Sequence, residues 1–190
     1  MALSDDPIER HREIGATFGE RTRGVTDWDV PAPVDGWTAR DVVRHLVEWF
    51  PPFLAGGTGL EIPAGPSVDD DPVAAWQAQY DGVQALLDDS THADVVLRNP
   101  HIGEVPFARA VDQFYVSDVF MHTWDLARAT GQDDQLDQDL CAQLLAGMEP
   151  IEDVMRGSGQ YGARVAVPGT ADAQTKMLGF IGRDPAWQPR

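Results

Sequence analysis

The most informative segment of the chain is FARAVDQFYVSDVFMHTWDLARATG, residues 107–131. Steps of three or four residues, which keep side chains on one face of an α-helix, connect seven of its positions: Phe107, Val111, Phe114, Asp118, His122, Asp125 and Ala129. The segment is therefore predicted to be a helix over about residues 107–129 that stops near a glycine, a common helix terminator. Three ionisable groups lie on the face that should pack into the core, where an unpaired charge would be costly.

Further helices are predicted from their start and stop signals. Asp6–Pro7 and Asp71–Pro72 each resemble an N-cap followed by a first-turn proline, and Thr38 with Asp41 forms a capping-box pattern. Pro51–Pro52 should end the helix that this box begins. The predicted helices span residues 7–23, 39–49, 72–87, 136–148 and, as a short last one, 170–182.

Three connections complete the map. Residues 50–71 are rich in Pro and Gly and long for a loop, which favours a lid or a pocket wall. Two short extended pieces are expected within residues 93–106, and another possible strand over residues 163–167. The predicted fold is all-α: one domain over residues 1–190, with an antiparallel four-helix bundle at about 5–131, a helical C-terminal extension at about 132–190 and minor strands.

Composition excludes several classes of protein. The 190 residues carry 14 Lys and Arg against 31 Asp and Glu, a net charge of −17. Such an acidic surface repels nucleic acid and anionic membranes. No apolar run reaches the roughly 20 residues of a membrane span, and the charged N-terminus lacks the apolar core of a signal peptide. Cys141 is the only cysteine, so it is expected to be a buried small residue and not a nucleophile. We expect a cytoplasmic protein whose partner is a small molecule.

Two predicted helices carry polar residues on their inward faces. Asp118 and His122 are one helical turn apart, so both can reach one ion. His45 lies on the same face of its helix as Val42 and Trp49. Two imidazoles and one carboxylate form a three-ligand metal site that leaves positions open for water or substrate. The plainer alternatives are a core histidine bonded to a backbone carbonyl and a polar stripe satisfied by hydrogen bonds.

Three segments resemble a known family. They are GWTARDVVRHLVEW (36–49), SDVFMHTWDLARATG (117–131) and FIGRDPAW (180–187), and they are similar to an actinobacterial branch of the DinB-like superfamily that includes the N-terminal domain of mycothiol-dependent maleylpyruvate isomerase. The resemblance implies a four-helix bundle that holds a divalent metal, often zinc or nickel, through positions matched by His45, Asp118 and His122. The isomerase typically has Glu where this chain has the shorter Asp118, and its larger C-terminal domain does not fit within this chain.

The resemblance implies a metal-dependent thiol transferase or isomerase that uses a low-molecular-weight thiol such as mycothiol on a small electrophilic substrate. Zinc is the first choice of metal, and nickel or ferrous iron suit the same ligands. The alternatives are a non-catalytic metal-binding or ligand-sensing bundle and a purely structural dimer. Family members often pair, so a homodimer is expected.

Other residues receive candidate roles. Asp125 is expected either to orient the His122 ring or to form an ion pair with Arg44 or Arg128. Substrate-binding candidates are of two kinds: arginines that suit a carboxylate and aromatic residues that either line a pocket or belong to the core. They are Arg44, Arg109, Trp49, Trp124 and Phe120.

Overall fold

The computed structural model describes residues 3–189, which are mostly helical. Helices connected by loops and one small sheet follow each other in this order: α1 Pro7–Arg23, α2 Ala39–Glu48, α3 Phe50–Thr58, α4 Pro72–Asp88, β1 Val96–Asn99, β2 Gly103–Pro106, α5 Phe107–Ala110, the π-helical segment Val111–Val116, α6 Ser117–Thr130, α7 Gln138–Met148, α8 Glu152–Gly157 and α9 Ala173–Phe180. Short 3₁₀ turns lie at Ser90–His92 and Glu149–Ile151. The expectation of a mainly helical chain with minor strands is confirmed.

The helix starts follow the signals read in the sequence. Asp6 accepts hydrogen bonds from the first-turn N–H groups of α1, and Asp71 does the same for α4. Thr38 and Asp41 form the reciprocal capping box of α2. These caps satisfy N–H groups that have no partner within the helix, so local chemistry sets where the helices begin.

Helices α1, α2, α4 and α6 pack around the main core. α1 contacts α4 and α6, and α2 contacts the same two helices. Phe18 of α1 packs against Trp76 of α4 at 4.4 Å between ring centroids, and Leu46 of α2 is fully buried. His45 and the polar residues of α6 therefore project from helices that are held together by apolar packing.

The region after α2 differs from the prediction. Residues 50–71 were expected to form one loop, but α3 occupies Phe50–Thr58. Pro51 and Pro52 lie in the first turn of α3, where a proline breaks no helical hydrogen bond, so they end α2 and also begin α3. Gly59, with φ of 76°, ends this helix. Only residues 59–71 remain as the loop.

The helix predicted over residues 107–129 contains a wide turn. Val111–Val116 is π-helical, and Ser117 donates its backbone N–H to the carbonyl of Asp112, five residues back. A π turn holds one residue more than an α turn, which shifts the register. Consequently Tyr115 is fully buried, whereas Phe114 is half-buried beside Phe53, so the prediction of Phe114 in the core is wrong.

The strands form a single hairpin. β1 and β2 pair antiparallel with Leu97 opposite Val105, as the two expected extended pieces. The possible strand at 163–167 is wrong: this segment belongs to none of the strands formed by residues 3–189, although the N–H of Val165 donates to the carbonyl of Gly179.

The C-terminal extension is helical. α7 and α9 pack against each other, and Pro150 lies in the short 3₁₀ turn between α7 and α8. Cys141 on α7 is buried, and this burial raises the pKa of its thiol to about 12. Within residues 3–189, the helices are too short or too polar to cross a membrane.

Candidate metal centre

Three side chains from two helices converge at one point. His45 comes from α2, and Asp118 and His122 come from α6. The Nε2 atom of His45 lies 3.0 Å from Oδ2 of Asp118, and the Nε2 atom of His122 lies 3.5 Å from Oδ1. One potential ligand atom from each residue lies within 4.8 Å of the other two. The shorter carboxylate of Asp118 therefore reaches both imidazoles, and the group could bind a metal ion.

The indole of Trp49 holds the Asp118 carboxylate. Its Nε1–H donates to Oδ2 of Asp118 at 2.9 Å. Trp49 caps the C-terminal end of α2, one helical turn after His45, so both side chains face the same carboxylate. Burial favours a higher pKa for Asp118, but the nearby His122 and His45 rings and the Trp49 N–H outweigh it and hold this pKa below its usual range. Asp118 is thus a carboxylate, the form that binds a metal.

The ring of His122 is oriented from its other side. Its Nδ1 lies 2.8 Å from Oδ2 of Asp125, a fully buried carboxylate. Burial opposes the charge of Asp125, yet Arg183 and His122 hold its pKa below the usual range. An ionised carboxylate only accepts hydrogen bonds, so Nδ1 of His122 donates to Asp125, and the neutral form of this ring would present the lone pair of Nε2 to a metal.

Asp125 pairs with an arginine that sequence reasoning missed. Arg183 donates from Nε to Oδ1 at 2.9 Å and from Nη2 to Oδ2 at 3.0 Å. The expected alternatives, Arg44 and Arg128, are wrong, because Arg44 pairs with Asp69 and Arg128 pairs with Asp134. Arg183 lies 58 residues from Asp125 in the sequence, and no helical spacing connects them. The only signal of this pair in the sequence was that a buried carboxylate such as Asp125 needs a cation beside it.

Trp37 is the second residue that the sequence analysis did not assign. Its ring centroid lies 5.7 Å from that of His122, nearly parallel to it, and 5.2 Å from that of His45. Two backbone hydrogen bonds hold Trp37 in the turn before α2: its N–H donates to Val34, and its carbonyl accepts from Ala32. Trp37 therefore packs against both imidazoles of the candidate site.

The other aromatic candidates lie elsewhere. Trp124 and Phe120 are buried, and each follows a candidate ligand by two residues. Two residues turn a helix by about 200°, so both project away from the site and into the core. The guanidinium of Arg128 lies 5.3 Å from the Trp124 ring. Of the proposed aromatic walls, the structure brings only Trp49 to the candidate ligands.

The two candidate substrate arginines are also placed away from the ligands. Arg44 is engaged on the outer side of α2, where its Nη2 lies 2.7 Å from Asp69. Arg109 is exposed on α5, nine residues and about 13 Å of helical rise before Asp118. A tyrosine that the sequence did not single out is affected by the charge of the site: burial raises the pKa of the Tyr161 phenol, the charge of Asp118 raises it further, and Arg183 opposes both.

The comparisons with known proteins give relatives but no activity. The chain is 28% identical over 185 residues to the uncharacterized protein Rv0738 of Mycobacterium tuberculosis (strain ATCC 25618 / H37Rv). It is equally similar to the uncharacterized protein MT0763 of strain CDC 1551 / Oshkosh of the same species. Each alignment covers 94% of this chain and 98% of the relative. No family model matches the chain, and no solved structure matches it significantly. The chain therefore has relatives of matching length, and its candidate chemistry rests on the geometry of His45, Asp118 and His122.

Proposed function

We propose that this protein is a metal-dependent thiol transferase or isomerase of the DinB-like type. Its site is His45, Asp118 and His122, its co-substrate is a low-molecular-weight thiol such as mycothiol, and its substrate is a small electrophile. The convergence of these three side chains within 4.8 Å is the observation that carries the proposal. The packing of α1 and α2 against α4 and α6 supports an antiparallel four-helix bundle as its framework.

The residues fit a divalent ion. Both histidines direct Nε2 toward the carboxylate of Asp118, and the hydrogen bond from Nδ1 of His122 to Asp125 orients this ring so that its neutral form would offer Nε2 to the ion. Nitrogen and carboxylate oxygen ligands suit zinc first, and also nickel or ferrous iron. Three protein ligands leave room for an exogenous group, whereas closed structural zinc sites take four. This difference favours a reactive site over a structural one.

A bound divalent ion would favour the thiolate form of a thiol at its open position and would act as a Lewis acid toward the electrophile. The protein's own residues prepare the site for this chemistry. Trp49 holds Asp118 by a hydrogen bond, Asp125 holds His122, and Trp37 packs against the imidazoles. The net charge of −17 favours a small-molecule partner over nucleic acid or membrane. We also infer a cytoplasmic homodimer.

Metal analysis of protein purified without a histidine tag tests the site. About one equivalent of divalent metal per chain is expected, because all three ligands come from one chain. His122→Ala should lose it, whereas Arg109→Ala, a substitution on the exposed side of α5, should retain it. Metal content that does not change in His122→Ala would exclude this site.

An activity screen tests the reaction. Mycothiol and a panel of small electrophiles are incubated with the metal-loaded protein, and thiol consumption or isomerised product is measured. Turnover that disappears in Asp118→Ala and persists in Arg109→Ala is expected. Metal binding with strong metal-dependent melting and no turnover on any electrophile would instead support a non-catalytic metal-binding or ligand-sensing protein.

A further inference from the structure

The chain after α9 turns back onto α6. Ile181 and Gly182 follow the helix, and Gly182 adopts a φ of 87°, a conformation that favours glycine. A Cβ atom at Gly182 would lie 2.8 Å from the backbone of Gly162, so the close approach of two chain segments also requires a glycine here. The N–H of Arg183 then donates to the carbonyl of Leu178 at 2.9 Å. This turn fixes the backbone from which Arg183 extends.

Arg183 reaches the candidate metal ligands through one intermediate residue. Its guanidinium donates one hydrogen bond to each carboxylate oxygen of Asp125, and Oδ2 of Asp125 also lies 2.8 Å from Nδ1 of His122. Asp125 is fully buried, and Arg183 is largely buried. We propose that Arg183 is a positioning residue of the metal site, acting through Asp125 on the ring of His122. This inference rests on the metal site of the proposed function.

Geometry explains why an arginine suits this role. A guanidinium is planar, and its two parallel N–H bonds match the two oxygens of a carboxylate. The fork therefore fixes the plane of the Asp125 carboxylate, which keeps Oδ2 in line with Nδ1 of His122. This hydrogen bond directs Nδ1 of His122 toward Asp125 and Nε2 toward Asp118 and His45, so in the neutral ring the proton belongs on Nδ1 and the lone pair on Nε2. The C-terminal segment thus belongs to the metal site although it supplies none of the three ligands.

The chain offers a matched control in Arg128. This arginine also connects α6 to the C-terminal segment, because its Nη2 donates to the carbonyl of Pro185 at 2.7 Å. Its second partner is Asp134, at 3.1 Å from Nε, and the described contacts of Arg128 do not include Asp125. Arg128→Gln therefore weakens the attachment of the C-terminal segment to α6 but leaves the two hydrogen bonds from Arg183 to Asp125 in place. A general effect of loosening can thus be separated from the specific effect of Arg183.

The first measurement is Zn²⁺ affinity, obtained by competition with a chromophoric chelator. Removing a group that orients a metal-bound histidine typically weakens metal binding by about 10- to 100-fold, and we expect a loss in this range for Arg183→Gln. Arg183→Lys keeps the cation but not the fork, so an intermediate loss is expected. Arg128→Gln should bind Zn²⁺ like the wild type. Equal affinities of the wild type and the folded Arg183 variants would overturn the inference.

The second measurement needs no metal. At pH 8, the ¹⁵N chemical shifts of the His122 ring report which nitrogen carries the proton. The metal-free wild type and Arg128→Gln should show the proton on Nδ1, and Arg183→Gln should show a mixture of both forms. An unchanged tautomer in folded Arg183→Gln would overturn the inference.

Two further outcomes are distinguishable. If the wild type binds no Zn²⁺, the proposed function fails, and the His122 tautomer alone decides the role of Arg183. Arg183→Gln leaves a buried carboxylate without its cation, so its fold is checked by circular dichroism. If it does not fold, Arg183→Lys decides: weakened Zn²⁺ binding in a folded protein supports the positioning role, and wild-type affinity contradicts it.

Discussion

His11 makes the stability of the protein depend on pH. This residue is buried on α1, and its ring stacks between Tyr80 and Tyr115 at centroid distances of 5.4 and 6.3 Å. Nδ1 lies 2.7 Å from Oε1 of Gln84, whose amide nitrogen donates to Asp88. Burial lowers the pKa of His11 from 6.5 to about 4, and the hydrogen bond to Gln84 only partly offsets this effect. His11 is therefore neutral in the folded protein at pH 7.

The direction of the effect follows from proton linkage. Between pH 6.5 and about 4, the unfolded chain binds a proton at His11 that the folded protein does not bind. The free energy of unfolding therefore falls as the pH falls through this window. The shift from 6.5 to about 4 corresponds to a loss of about 2 kcal/mol between pH 7 and pH 5, and about 3 kcal/mol once both states are protonated. Asp118 and Asp125, with lowered pKa values, lose their contributions only below this window.

Urea unfolding at pH 7, 6 and 5 measures this loss, with a chelator present to remove metal-linked protonation. We expect the wild type to lose about 2 kcal/mol over this range and His11→Gln to lose almost none, whatever its stability at pH 7. His101→Gln is the matched control, because it removes an exposed imidazole and should keep the wild-type slope. The same pH dependence in the wild type and His11→Gln would refute the assignment of this proton to His11.

Three further predictions concern the site and the core. Zinc at a thousandfold excess over its Kd should raise the free energy of unfolding by about 4 kcal/mol, and a chelator should reverse the rise in melting temperature; equal melting with and without the chelator would count against metal binding. Trp49→Phe removes the N–H group that donates to Asp118 and should cost about 1.5–3 kcal/mol in urea unfolding, the usual range for a hydrogen bond to a charged group; an unchanged free energy of unfolding would contradict this role of the indole. Gly15→Ala places a methyl group against the ring of Tyr80 and should cost about 1–3 kcal/mol, whereas Gly56→Ala, which meets nothing within 4 Å, should be tolerated.

Local chemistry made much of the secondary structure predictable. The starts of α1, α2 and α4 follow from caps and first-turn prolines within a few residues of sequence. The same local rules were ambiguous at Pro51–Pro52, because a proline that ends one helix can also begin the next. The π segment was not predictable from periodicity, since both Phe114 and Tyr115 are apolar enough to face the core. In the observed register Tyr115 stacks on Phe50, with 4.0 Å between the ring centroids.

The candidate site was predictable to the extent that it depends on helical spacing. His122 follows Asp118 by four residues and Asp125 follows His122 by three, so one helix brings these groups together. The approach of Trp37 and of Arg183 depends on how distant segments fold back. Trp37 comes from an irregular turn, and Arg183 comes from a segment beyond α9. Sequence spacing carries no information about such contacts.

The π segment Val111–Val116 also allows the chain to lose a residue just before the candidate metal centre without disturbing it. A π turn is an α-helix with one residue inserted, and a regular helix rotates by about 100° per residue. A deletion within this segment can be absorbed by reversion to a regular helix, with the faces before and after it unchanged. The helix between Asp118 and His122 is regular and has no extra residue to lose, so a deletion there would rotate one ligand away from the other. Relatives can therefore differ in length just before the centre and still present the same ligand pair.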